Sequence, residues 1–593
     1  MNRLRFSLLA AVCATVWATN AAHSAPVRGE RSGLEQVPAK SPIVLHLRGV
    51  QGTRDRFVAM MEKALPEVLQ KIQPDMDDFL KNGFMGRKLR GLAKDGPIFL
   101  TFTELPNAGQ APEGPPKFAI IVAVSDYKEF RDNVLTEEER KTIKVNGEGV
   151  ETVTILNETT PTYFVDRRTF AVVTPNEEVA NSFTKKQPGL DGKLSKEQAA
   201  KFLASDFGVY LNMDTLNKQY AEQFKEARKA IESGIDLFTQ PGDESQKKAF
   251  EMFKKAIGPV FQTIEDTQGV LLTVEFRPGG LALHLEGEVR ENSTTSALLQ
   301  DSKPTAFEEL ERLPAGRTYY VGMRGSAGLY KGLGGLMSSL PGAGTEHLAP
   351  MMEEFAKSGP GILVGGLSFP LAGLNVYHFD DTAKAVAATL KMYRDMDPKT
   401  ANLKDKPAVK TDAEQLGAFK LHHAQLAWDF DKMAEPIAAK GGEEAKKKFV
   451  ESMKGMFGEK NNTWFGTNGK VVVQINAADW PAARKLLEQY SKGTNTAGDM
   501  KALRDVRKEM PARTSVLGLI DAVQMFGSIA EALKPLLGNQ VPPNWPNKPD
   551  KDAVGFVGLA VTLQPRRGGL DLFISADAAK EFYKAVVKPF VGE

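Results

Sequence analysis

Three times in this chain an apolar-Pro-Ala phrase opens an apolar strand: Val37-Pro38-Ala39, Leu313-Pro314-Ala315 and Met510-Pro511-Ala512. A degenerate copy reads Leu203-Ala204-Ser205-Asp206-Phe207. Internal repetition constrains the fold before any residue has a role, because each copy must build a similar local structure. The strands that follow are Ile43 to Leu47, Tyr319 to Met323, Val516 to Ile520 and Val209 to Leu211. Each leads into a helical pattern. After the first, Phe57, Met61, Leu65, Val68 and Ile72 fall at steps of three and four, and Pro66 predicts a break. After the second, the helical stretch is Leu329 to Phe355; after the third, Phe526 to Leu537. An ungapped match sets Val209 and Asp214 opposite Val516 and Asp521.

A hairpin followed by a helix alternates with the openers. Leu271 to Val289 turns at Pro278-Gly279-Gly280, and Ile362 to Phe379 turns at Pro370-Leu371-Ala372-Gly373. Gly555 to Ser575 turns at Pro565-Arg566-Arg567-Gly568-Gly569, and Ile98 to Val124 has a longer loop. Proline cannot continue a central ladder and glycine accepts positive φ, so these turns favour antiparallel pairing. Asp380-Asp381 and Asp577 stand where helix caps belong. A looser pair is Tyr163 to Val173 and Trp464 to Val473. Long helices at Asn217 to Phe238 and Ser245 to Ile264 form an arm in the first half, with Glu443 to Phe457 as its counterpart in the second. The order of modules repeats. The fold class is therefore α+β: two tandem duplicated domains of mainly antiparallel sheet covered by long helices. The boundaries are 1–24 (signal peptide), 25–36 (flexible tether), 37–312 (first domain) and 313–593 (second domain).

Arg3 and Arg5 followed by the apolar stretch Phe6 to Trp17 read as a secretory signal, too short to span a bilayer. The chain is thus expected to be exported, to the periplasm or beyond, from a Gram-negative-type bacterium. Its single cysteine, Cys13, lies in that segment, so the mature chain is cysteine-free and has neither disulfides nor thiolate chemistry. Without Arg3 and Arg5 the 76 basic and 74 acidic residues become 74 of each. Neutral balance supplies no electrostatic pull on nucleic acid. No later apolar run is long enough for a transmembrane helix.

The best polar constellation is His284, Glu286, Glu288 and Arg290, alternating with Leu283, Leu285 and Val289. Period two sets all four on one strand face, where an imidazole and two carboxylates have metal-binding chemistry. The plainer reading is a polar sheet face in water, with Arg290 pairing a carboxylate. The matching strand, Leu570 to Ile574, lacks the set, so no metal is assigned and no catalytic residue or cofactor is named. His422 and His423 are neighbours on a strand and point to opposite faces, one buried and one exposed. His378 lies on the side of Asp380, which reads as a cap. The four tryptophans of the mature chain, Trp428, Trp464, Trp480 and Trp545, all lie in the second half.

The opener phrases and Pro-to-Gly turns resemble those of a loose set of large exported bacterial proteins of unknown function, built from repeated strand-helix-hairpin modules. The resemblance implies no activity and no site residues. Three functions are then open. The first is a non-catalytic binding or scaffolding protein of the cell envelope with a protein partner. The second is a carrier that holds a hydrophobic or lipid ligand between a curved sheet and Met-bearing helices. The third is a hydrolase or metal-dependent enzyme assembled from distant residues around His284, Glu286 and Glu288. The balance favours a non-enzyme.

Overall fold

The computed structural model describes residues 33–82, 87–105, 116–156, 160–238, 260–325, 361–368, 371–399, 401–528 and 554–588, with a few single positions between. The expected signal segment, the helices at 329–355 and 529–537, and most of 245–264 lie outside the described residues.

The chain divides into two compact units. One is Met1–Arg228 with Thr263–Ser293; the other is Lys229–Gln262 with Thr294–Glu593. The strands of the first are β1 (Ile43–Leu47), β2 (Ile98–Phe102), β3 (Phe118–Ala123), β4 (Lys144–Val145), β5 (Val150–Val153), β6 (Thr162–Asp166), β7 (Phe170–Thr174), β8 (Phe207–Asn212), β9 (Thr267–Arg277) and β10 (Gly280–Val289). They pair in the order β4-β5-β6-β7-β3-β2-β1-β8-β9-β10, antiparallel throughout.

The second unit contains β11 (Tyr319–Arg324), β12 (Ile362–Ser368), β13 (Ala372–His378), β14 (Ala408–Leu416), β15 (Phe419–Ala427), β16 (Lys460–Thr467), β17 (Val472–Ala477), β18 (Val516–Asp521), β19 (Phe556–Gln564) and β20 (Arg567–Ser575). Their order is β14-β15-β16-β17-β13-β12-β11-β18-β19-β20, again antiparallel. Strand for strand, this is the order of the first unit. Register places Phe164 of β6 opposite Val173, and Phe465 of β16 opposite Gln474, so the two phenylalanines correspond. Each is 1% exposed.

The repeated phrase has two structural meanings. Pro38 bridges Gly189 while Ala39 donates to the Pro188 carbonyl and Leu190 to that of Val37. Likewise Pro314 bridges Thr496 while Ala315 donates to Asn495 and Ala497 to Leu313. Val37 and Leu313 are fully buried at these points. Met510-Pro511-Ala512 makes a different structure: it ends a helix, and the Arg507 guanidinium binds the Pro511 and Ala512 carbonyls. The degenerate copy serves the same strand as this third one, but the ungapped match is two residues out. Asp206 and Ser515 donate to Val274 and Val561, and their carbonyls accept from Arg48 and Arg324. Phe207 therefore corresponds to Val516, and Asn212, not Asp214, to Asp521. Both of these last residues cap the helix that follows.

Other expectations also shift. Leu34–Gln36, read as flexible tether, is a 3-10 turn with Leu34 1% exposed. Residues 294–312 group with the second unit. Thr305 bridges Thr514, and the turn Glu308–Arg312 packs on Ala497–Asp499. Asp381 caps its helix as expected, but Ser575, not Asp577, caps the last one. The helix Glu435–Phe457 lies between β15 and β16, whereas the first unit's arm lies between β8 and β9. The two are not counterparts.

Helices flank both faces of the first sheet. α1 (Val50–Ala64) and α2 (Pro66–Asn82) meet at Leu65, whose φ of −142° and ψ of 63° break the helix where Pro66 requires it. α3 (Lys196–Ala204) carries a Ser195–Gln198 capping box and lies on the opposite face.

Candidate functional site

β9 and β10 carry unlike chemistry on their two faces. On one, His284 lies opposite Thr273, Glu286 opposite Leu271 and Glu288 opposite Gly269. This face is not open to water: α3 covers it, leaving Glu286 7% exposed. The Gln198 amide donates to Glu286 at 2.9 Å and to Glu288 at 3.5 Å. Lys201 Nζ is 3.5 Å from Glu286 and 3.2 Å from His284 Nε2, which is itself 3.4 Å from Glu286. Burial pushes the Glu286 carboxyl up. The His284 hydrogen bond, the Lys201 ammonium and the Gln198 amide outweigh it and hold the group down at about 2. The ammonium thus supplies the positive charge that a metal would bring. Among the described residues no group of three or more His, Cys, Asp or Glu is placed to hold a metal ion. Arg290 turns away, pairing Asp214 at 3.0 Å.

The opposite face is apolar along its length. Leu272 lies directly across from both Leu285 and Val209. Leu272 and Leu285 are 37% and 39% exposed. Ile43, Leu45, Leu211, Val270 and Leu283 on the same face are half-buried. The second unit repeats this face. Leu559, at the position of Leu272, is 38% exposed, and Leu570, at that of Leu283, is 39% exposed. Tyr319, Val321, Ile520 and Leu572 around them are half-buried. Antiparallel sheets ordinarily turn polar side chains to their open face. On β10 the polar set is instead covered, beside the buried core residues Leu271 and Tyr210, while Leu272 and Leu285 across the sheet are exposed. Sequence reading missed this because period two shows which residues share a face, not which face a helix covers.

At one end of that face α1 and α2 form a cover. Val58, Met60, Met61 and Leu69 pack on Phe276, with Val274 and Leu281 at the margin. The Arg56 Nε sits 3.0 Å from the Asp206 carboxylate and 3.1 Å from the Phe276 carbonyl. The Phe276 amide donates to Asp206 Oδ2 at 2.6 Å. Asp206 is fully buried, and burial pushes its carboxyl up to about 6 against the pull of Arg56 and the Phe276 amide.

His46, whose counterpart in the register is Gly322, is 3% exposed between Phe99 and Phe202, at ring separations of 5.3 and 5.0 Å. Neither ring nitrogen meets a protein hydrogen-bond partner. Burial, reinforced by Arg48, pushes its pKa down to about 3. His422 and His423 are both half-buried, rather than one in and one out. They do face apart: His422 packs on Phe465, and His423 stacks on Trp464 at 4.8 Å. His378 pairs with Glu309. No helix of the described residues is long and apolar enough to cross a membrane.

No protein family and no curated protein matches the chain. Two solved structures, crystal forms III and I of TP0453, are similar over 46% of this chain at 10% identity. They are spanned to 88% and 85% of their length, with TM-scores of 0.21 and 0.20. Likeness at that level carries no argument.

Proposed function

We propose that the protein is an exported, non-catalytic binding protein of the cell envelope, and that its ligand is a hydrophobic molecule such as a lipid acyl chain. One observation carries this reading: the same sheet face is apolar and left open in both units, with Leu272 and Leu559 at matching positions. Covering a leucine that is about a third exposed returns roughly 0.5–1 kcal/mol. A face of such residues therefore favours an apolar occupant over water. The carrier reading is preferred to protein scaffolding because the open side chains named above are aliphatic or aromatic, whereas protein interfaces ordinarily add charged and hydrogen-bonding groups. An enzyme built around His284, Glu286 and Glu288 has little support, since Gln198 and Lys201 already satisfy that cluster.

We also propose that the units arose by duplication. Identical strand order and the matched ladders at Pro38 and Pro314 support this, as does the shared position of Phe164 and Phe465. Titration of the mature protein with a fluorescent fatty acid tests the ligand reading. Saturable binding, weakened at least tenfold by Leu272→Glu with Leu559→Glu, is expected. Absence of saturable binding counts against it.

A further inference from the structure

We propose that α1 and α2 form a hinged flap over the apolar face of the first sheet, held shut by the pair Arg56–Asp206. The proposal rests on reading that face as the binding surface, and it concerns how access to the face is controlled.

Three observations converge. The first is that the helix pair is one body. Arg54, 8% exposed, reaches Asp55 on its own helix at 3.0 Å and Asp77 on α2 at 2.6 Å, and Met61 packs with Leu69. The second is that this body has a hinge where it leaves the sheet. Gly49, before α1, has a φ of 144° and gives no side-chain cap. A few element-terminal residues of this kind absorb the backbone rotation of a moving cover. Beneath the flap, Met60 and Met61 supply a soft underside able to repack on a bound chain.

The third observation is the latch itself. In the second unit Ser515 stands where Asp206 does, and the Leu563 amide donates to its hydroxyl at 3.0 Å, as the Phe276 amide does to Asp206. A neutral hydroxyl therefore suffices for the strand geometry. The carboxylate at 206 adds something the sheet does not need: a buried charge that the Arg56 guanidinium on the flap answers. Opening the flap separates the pair and uncovers Phe276, Val274 and Leu281. These continue the row begun by Leu272 and Leu285, so the open face lengthens toward the size of an extended chain.

Hydrogen exchange on the full mature protein tests the latch. Asp206→Ser copies the second unit, keeping the hydrogen bond to the Phe276 amide while removing the charge that Arg56 answers, and leaving Arg56 only the Phe276 carbonyl. Amides of residues 50–64 that are protected in the wild type should exchange at least tenfold faster in this variant, with β8, β9 and β10 unchanged. Equal exchange in the two proteins overturns the proposal. So does a loss of protection that spreads equally into the strands, which marks Asp206 as a purely structural residue. Arg56→Gln, which releases the flap from the other side, must speed exchange in the same segment; protection there as in the wild type also overturns it. Exchange reads the flap whether or not anything binds. Failure of a fluorescent fatty acid to bind the opened variant would therefore strike the ligand reading and not the latch.

Discussion

Asp206 and Ser515 occupy one position in two sheets: each accepts the amide of the strand across from it, Phe276 in the first unit and Leu563 in the second. The backbone around them matches, and the side chains do not. Differences of this kind, set against a shared frame, separate what the fold requires from what one unit has added.

Asp206 should leave a signature in acid. Its carboxyl is raised from the usual 3.8 to about 6, so the folded chain holds this proton more tightly than the unfolded one. Its ionisation therefore opposes folding above pH 6, and that opposition fades as pH falls from 6 toward 3.8. A two-unit shift corresponds to about 3 kcal/mol. Between pH 7 and pH 4, urea unfolding should show the wild type gaining on Asp206→Asn by up to that amount. A constant difference would contradict the account.

Glu286 should behave oppositely. Its carboxyl is lowered from 4.5 to about 2, so it contributes stability that is complete above pH 4.5 and lost as pH falls toward 2. Glu286→Gln should unfold more easily than the wild type at pH 7, by no more than about 3 kcal/mol. The two should converge near pH 2. Added zinc should move the melting temperature of neither, because Lys201 fills the role of the cation.

His46 has been given no partner for its nitrogens, and its pKa is lowered from 6.5 to about 3. The unfolded chain takes up a proton here below pH 6.5 that the folded chain refuses, so stability is lost as pH falls from 6.5 toward 3. His46→Leu removes this loss and two unsatisfied polar atoms, worth about 1–3 kcal/mol. Thermal melts at pH 7 and pH 5 should show the variant above the wild type at both, with the wider margin at pH 5.

Val37 and Leu313 begin equivalent ladders and are both fully buried. Each Val37→Ala or Leu313→Ala change should cost about 1–4 kcal/mol by opening a cavity at a packed site. Each should lower the stability of its own unit, as read by hydrogen exchange in β1 or in β11. A silent change at either position would show that the phrase is incidental.

Much of this fold was legible in the sequence because its signals are local. The turns at Pro278 and Pro565, the helix break at Pro66 and the cap at Asp381 each follow from a residue and its near neighbours. What escaped notice was long-range. The hairpin of β4 and β5 includes a strand of only two residues, and β14 is polar and bulged at Asp412, whose φ is 49°. Neither carries a clear alternation. The pairing of Val209 with Val516 slipped by two because apolar residues recur every second position, so an even shift preserves the pattern. The polar set at His284, Glu286 and Glu288 was recognisable, but its neutralisation by Gln198 and Lys201, more than eighty residues earlier, was not. Nor did alternation reveal that a helix would cover the polar set of β10.

The open apolar faces make one demand above all: something hydrophobic should come away with the protein. Mature chain purified without detergent from its native compartment, then extracted and analysed by mass spectrometry, gives the most direct reading. The account predicts a lipid or other apolar molecule at close to one or two per chain, lost in Leu272→Glu with Leu559→Glu. Repeated extraction of ligand-free protein that also fails to bind added fatty acid would contradict it.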